Sequence, residues 1–267
     1  MKPLAGLLRL LPMLLLAACA GTREGPPFTM HPGDRIGLLV ETTDAPVHTH
    51  YHTDAGATVR SAHAYPYAWQ LDAAVTEVIR RQLTVAGFTV VDLEAQGMRH
   101  GELDGVVAPS GSQWAPPAGP IAEQLRQQGV RAVVLVRDAR TLAALDCADG
   151  PCDEHLAEGP GLYSRSVGNA TSFRAVAGFD WHVYLLDPPG DLGAAQPLRS
   201  TLRMPAAELH GFRRPANLYA MTETELAPVR KRLLEYVEAT AEDVVGMLGG
   251  RRVVEVEQAS VHVPDTR

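Results

Sequence analysis

Lysine is nearly absent from this 267-residue chain: Lys2 and Lys231 are the only two, so arginine carries almost all the positive charge. The 24 basic residues are outnumbered by 31 acidic ones, a formal net charge of -7. That balance argues against a broad nucleic-acid surface. Aromatic residues make up only 6% of the chain, and there are three cysteines. No long apolar run follows residue 18, which excludes a multi-span membrane protein built of helices. Signatures with fixed spacing are missing too. There is no Gly-x-Ser-x-Gly elbow, phosphate-binding P-loop, Gly-x-Gly-x-x-Gly, His-Glu-x-x-His or Cys-x-x-Cys. Their absence lowers the expectation of catalysis without removing it, because catalytic groups are set by geometry and not by order. What is present, 46% apolar and 21% charged residues, is an ordinary globular composition.

The first residues read as an address. Lys2 gives a positive start, and residues 3–18 are almost wholly apolar, interrupted by Arg9. The run is short for a bilayer span and has the layout of a secretory signal. It ends in Leu16-Ala17-Ala18-Cys19. This resembles a bacterial lipobox: an aliphatic residue, two small ones, then the cysteine that takes diacylglycerol. The resemblance implies cleavage before Cys19 and a lipid anchor on its sulfur. Ala20 follows, where an inner-membrane retention signal would carry Asp. By resemblance to enterobacterial lipoproteins this implies the periplasmic face of the outer membrane. The expected organisation is therefore a signal peptide over 1–18, the lipidated Cys19 and a Gly/Pro-rich tether over 19–34, one α/β domain over 35–257, and a tail over 258–267. With Cys19 acylated, Cys147 and Cys152 remain, and in an oxidising periplasm they should pair. A metal held by this loop with Asp153 and His155 is the lesser alternative.

The periodicity alternates. Ile36-Gly37-Leu38-Leu39-Val40 is a continuous apolar run, suited to a strand buried on both faces. Leu71, Val75, Val78, Ile79 and Leu83 recur at helical steps, giving a helix over 67–86 that Gly87 closes. A strand over 88–92 follows, then a loop over 97–119, a short helix over 121–128 closed by Gly129, and a strand over 130–136. Strands are expected over 162–167, 172–187, 197–204 and 251–256. Leu226, Val229, Leu233, Val237, Val244 and Leu248 form a helical stripe, expected to pack on the sheet of residues 35–43, 88–93 and 130–137. Thr222-Glu223-Thr224-Glu225 resembles a capping box, but Pro228 lies deep in the helix it would open, so a separate short turn is expected there. The fold class is α/β, a two- or three-layer sandwich with a parallel βαβαβ unit, antiparallel strands and a C-terminal helix. This order, with the lipobox, resembles the periplasmic domains of curli-secretion lipoproteins, penicillin-binding-protein activator lipoproteins and the N-terminal domain of the Tol-system propeller protein. The resemblance implies a non-enzymatic binding or assembly role in the envelope, with a protein or peptidoglycan-associated partner.

The most distinctive cluster is His48-Thr49-His50-Tyr51-His52, with His63 nearby. In an extended chain the three histidines share one face at steps of about 7 Å, close enough for two imidazoles to meet on one zinc or copper ion. A turn or His63 would have to complete the site. The competing reading is an exposed loop with chance histidines. A contact surface made by Tyr51, Tyr65, Tyr67 and Trp69 is a third. Asp180 and His182 share a strand face and could form a catalytic pair, though a polar strand face explains them as well.

Overall fold

The computed structural model describes residues 28–54, 57–99, 119–146, 153–192 and 206–249. Cys19, Cys147, Cys152 and the strands expected over 197–204 and 251–256 lie outside the described residues, as does the tail.

The parallel unit forms where the apolar runs place it. Strand β1 (Arg35–Glu41) sits between β4 (Thr89–Asp92) and β5 (Val130–Asp138), parallel to both. Five successive residues of β1, Ile36 to Val40, are buried, because this strand is covered on both faces. Helix α1 (Leu71–Val85) lies on one face, turning Leu71, Val75, Ile79 and Leu83 inward with Ile36, Leu38, Val40, Val134 and Val136. Helix α2 (Pro120–Gln127) contributes Ala122 and Leu125 to the other face, with Leu39, Val133 and Leu135. Gly87 and Gly129 close the two helices at φ 96 and 75, backbone angles that a side chain would oppose. Two antiparallel strands, β10 (Phe179–Leu186) and β11 (Pro189–Asp191), extend the sheet to the order β11-β10-β5-β1-β4. This is the α/β sandwich expected from the sequence.

A second five-stranded sheet was not foreseen. It runs β12-β9-β8-β2-β3, formed by β2 (Val47–Asp54), β3 (Ala57–Ala64), β8 (Gly161–Val167), β9 (Ala170–Val176) and β12 (Ala206–Glu208). Strands β2 and β3 form a hairpin, and β2 also pairs parallel with β8. The long strand expected over 172–187 is thus two strands in two sheets. The chain passes between them at Gly178, where a Cβ would lie 2.5 Å from the backbone of Gly159 and 2.6 Å from that of Ala139. A further hairpin, β6 (Arg140–Asp146) with β7 (Asp153–Glu158), lies against the second sheet; Ala143 and Ala157 meet Tyr163 and Val176.

Helix α3 (Glu223–Met247) corrects two expectations. It is one helix, with Thr222 as its cap: the Thr222 side chain accepts from the Glu225 amide at 3.3 Å and the Glu225 carboxylate accepts from the Thr222 amide at 2.7 Å. Pro228 falls in the second turn, and the helix continues through it. Its apolar stripe packs chiefly on α1 and on β8 and β9, and shares a core with the parallel sheet rather than lying directly over it. The reason is coverage: α1 already lies on that sheet, and the second sheet needs a lid. One core joins both sheets and both long helices. The expected tether is also shorter on the domain side, since Phe28 packs against this core and Met30 is buried in it.

Candidate functional site

The histidine segment is a strand, and the exposed-loop reading is corrected. Alternation along β2 turns His48, His50 and His52 to the face that looks toward α3. The neighbouring strands place partners beside them. Leu162 and Ser164 of β8 stand opposite His48 and His50, while His63 and Ser61 of β3 stand opposite them on the other side. His48 is 1% exposed, His50 6% and Ser164 0%; His52 and His63 are half-buried.

Ser164 joins two of the histidines. Its Oγ lies 2.7 Å from His48 Nε2 and 2.7 Å from His50 Nδ1. The far nitrogen of His48, Nδ1, lies 3.1 Å from the Leu218 carbonyl and 3.0 Å from the Tyr65 hydroxyl. Tyr65 in turn donates to the same carbonyl. A carbonyl can only accept, so the neutral His48 carries its proton on Nδ1. Its Nε2 therefore accepts from the Ser164 hydroxyl. The Ser164 oxygen is then free to accept from His50 Nδ1–H, which leaves the lone pair of His50 on Nε2. The polarity of the whole chain thus follows from one backbone carbonyl.

Burial pushes the His48 imidazole down to about 4, with the like-charged neighbours His50 and His63 adding to it. Burial lowers His50 as well. Both rings are neutral at neutral pH. Burial also holds the Tyr65 phenol well above its ordinary range, so it acts as a hydroxyl.

The four histidines singled out from the sequence do not act alike. His48 has both nitrogens engaged. His63 stands edge-on to Tyr65 and Tyr219, with ring centroids at 5.2 and 6.2 Å. His50 and His52 lie side by side, centroids 5.7 Å apart and planes within 16°. Among the described residues no group of three or more His, Cys, Asp and Glu is placed to hold a metal ion.

The aromatic contact surface is corrected by burial. Tyr65 is 1% and Trp69 3% exposed, Tyr67 donates to the Met221 carbonyl at 2.8 Å, and Tyr51 donates to that of Leu156 at 3.0 Å. Asp180 and His182 do meet. His182 Nε2–H donates to Asp180 at 2.9 Å, its Nδ1 accepts from the Tyr184 hydroxyl at 2.8 Å, and Arg137 donates to the same carboxylate at 3.0 Å. His182, then Arg137, hold the Asp180 carboxyl down to about 2. Both imidazole nitrogens are engaged, and Tyr184, whose hydroxyl His182 accepts from, is buried. The Asp153 side chain lies outside the described residues, while the His155 ring tilts against Tyr51, with centroids 4.5 Å apart and planes at 44°.

Two residues of the network, Ser164 and Leu218, escaped the sequence reading. Period two in Leu162-Tyr163-Ser164 puts Leu162 and Ser164 on one face, but nothing local says which strand lies beside it. Two open clefts border α3, one lined by Leu209, Phe212, Pro228 and Lys231, the other by Val78, Ala227, Leu234 and Glu238. Neither is lined by His48, His50, His52 or His63. Comparison with known protein families, with characterised proteins and with solved structures finds no match.

Proposed function

We propose that this chain is a lipid-anchored lipoprotein on the periplasmic face of the outer membrane, and that its domain is a non-enzymatic binding or assembly module of the cell envelope. The observation that carries the reading is Leu16-Ala17-Ala18-Cys19 at the end of an apolar run with a positive start. A lipid on Cys19 would hold the domain at the membrane and raise its local concentration near an envelope protein or a peptidoglycan-associated partner. The chemistry of the polar clusters supports the non-enzymatic part. Ser164 contacts two histidines, but its side chain is fully buried and so closed to a substrate. The lone pair of His182 is engaged by the Tyr184 hydroxyl, and Tyr184 is buried.

The test is Cys19→Ser, followed by separation of membrane and soluble fractions. The variant is expected to leave the membrane or to remain unprocessed. A variant that stays membrane-bound and carries the same acyl mass contradicts the anchor.

The same compartment predicts a Cys147–Cys152 disulfide. The strands on either side support it. Asp146 and Asp153 face each other across the β6–β7 ladder, and the cysteines are the next residues in from each. The ladder thus brings the two chain ends that lead into the cysteines side by side, as a bridge between residues 147 and 152 requires. Mature protein should therefore show no free thiol. On loop entropy the bridge contributes about 2 kcal/mol, so the reduced protein should still fold. Alkylation of both residues without reductant would refute the bridge.

A further inference from the structure

We propose that His50 and His52 form a two-imidazole site for a divalent transition ion of the zinc–copper class, with Ser164 and His48 as its positioning residues. The inference stands whether or not Cys19 carries a lipid. It replaces the four-histidine site expected from the sequence with a division of labour.

Three observations carry it. First, the Ser164 contact fixes the His50 tautomer with the proton on Nδ1 and the lone pair on Nε2. A ligating imidazole commonly has this arrangement, with its second N–H donated to an oxygen that orients the ring. Here the orienting oxygen is itself held by His48, and His48 by Leu218 and Tyr65. Second, the separation fits. With metal–nitrogen bonds of about 2.0–2.1 Å and a ring radius of about 1.1 Å, two imidazoles on one ion have centroids roughly 4.5–6.4 Å apart. The His50–His52 centroids lie 5.7 Å apart. Third, the His52 side chain is half-buried and forms no hydrogen bond with the described residues, so no hydrogen bond holds its ring in its present orientation. It must turn, since the planes are now within 16° of parallel and each ring must point a nitrogen at the ion. His48 and His50 are also near enough, at 5.9 Å, but both His48 nitrogens are committed. Two protein ligands leave the remaining positions to water or to a group brought by another molecule. The exposed Arg214 guanidinium adds like charge beside His50 and works against the ion.

The probe is Cu²⁺, the divalent first-row ion that such sites bind most tightly. The full untagged chain in detergent, with its thiols reduced and alkylated, is titrated by calorimetry and examined by electron paramagnetic resonance. Wild type should bind one Cu²⁺ per chain, with hyperfine splitting from two nitrogens. His52→Gln should weaken binding at least about tenfold and remove one nitrogen from the spectrum. Ser164→Ala should weaken it about 10- to 100-fold, and Ser164→Thr should recover most of that loss. His63→Gln should leave affinity within about twofold. Unchanged affinity in His52→Gln, or no uptake by wild type below millimolar Cu²⁺, overturns the site. Because His52 packs into no hydrogen-bonded network, its variant reads out binding even if the Ser164 variants fold poorly.

Discussion

Leu233→Ala should destabilise the folded protein by about 2–5 kcal/mol, while Arg232→Ala, one residue away, should cost under about 0.5 kcal/mol. The difference follows from the helix face each occupies. Leu233 is 1% exposed and sits in the core shared by α1, α3 and both sheets. Removing its branched end leaves a cavity that two helices and a sheet would have to close together. Arg232 lies on the wet side, paired with Glu235 at 2.6 Å, and both partners are over two-fifths exposed. Such a pair is screened and worth little. Urea denaturation of the purified chain measures both. Should Leu233→Ala leave stability unchanged while abolishing capture of an envelope partner, the stripe is an interface and not a lid.

Acid should loosen the same protein between about pH 6.5 and pH 4. In the folded state His48 is held at about 4, below its ordinary value of 6.5. Across that interval the unfolded chain binds the proton and the folded chain does not. The stabilisation is therefore complete above pH 6.5 and is lost as pH falls toward 4. The gap corresponds to on the order of 3 kcal/mol. His50, shifted in the same direction, adds to the slope. Urea midpoints at a series of pH values, with chelator present to keep metal out, measure it. His48→Gln cannot take up the proton, so it should show a flatter profile. An equal slope in the two proteins would place the acid sensitivity elsewhere.

The parallel unit was legible because its strands carry their own signal. Val130-Arg131-Ala132-Val133-Val134-Leu135-Val136 is apolar almost without break, as a strand covered on both faces must be. The helix stripes of α1 and α3, and the glycines after α1 and α2, were equally plain. The second sheet was not legible because its strands lack that signal. β2 is His-, Thr- and Tyr-rich, and β3 is Ala, Thr, Arg, Ser and His with little apolar content. Their histidines read as loop because one-dimensional patterning treats a buried histidine as polar. What buries His48 is a serine 116 residues later, brought there by a parallel pairing with no local mark, and a carbonyl 170 residues later, from the segment that leads into α3. The error on α3 follows from the same gap: with one sheet in view, its stripe had only one place to go. The shared face of His48, His50 and His52 did follow from period two, but the engagement of both His48 nitrogens required the strand next door.

The anchor is the claim on which the functional account rests, and the mass of the mature amino-terminal peptide tests it most directly. Protein extracted from membranes is digested, and its first peptide is identified by mass spectrometry. The account predicts that the peptide begins at Cys19 and carries the added mass of a diacylglyceryl group. A mature peptide that begins elsewhere, or that contains Cys19 without acyl mass, would contradict it.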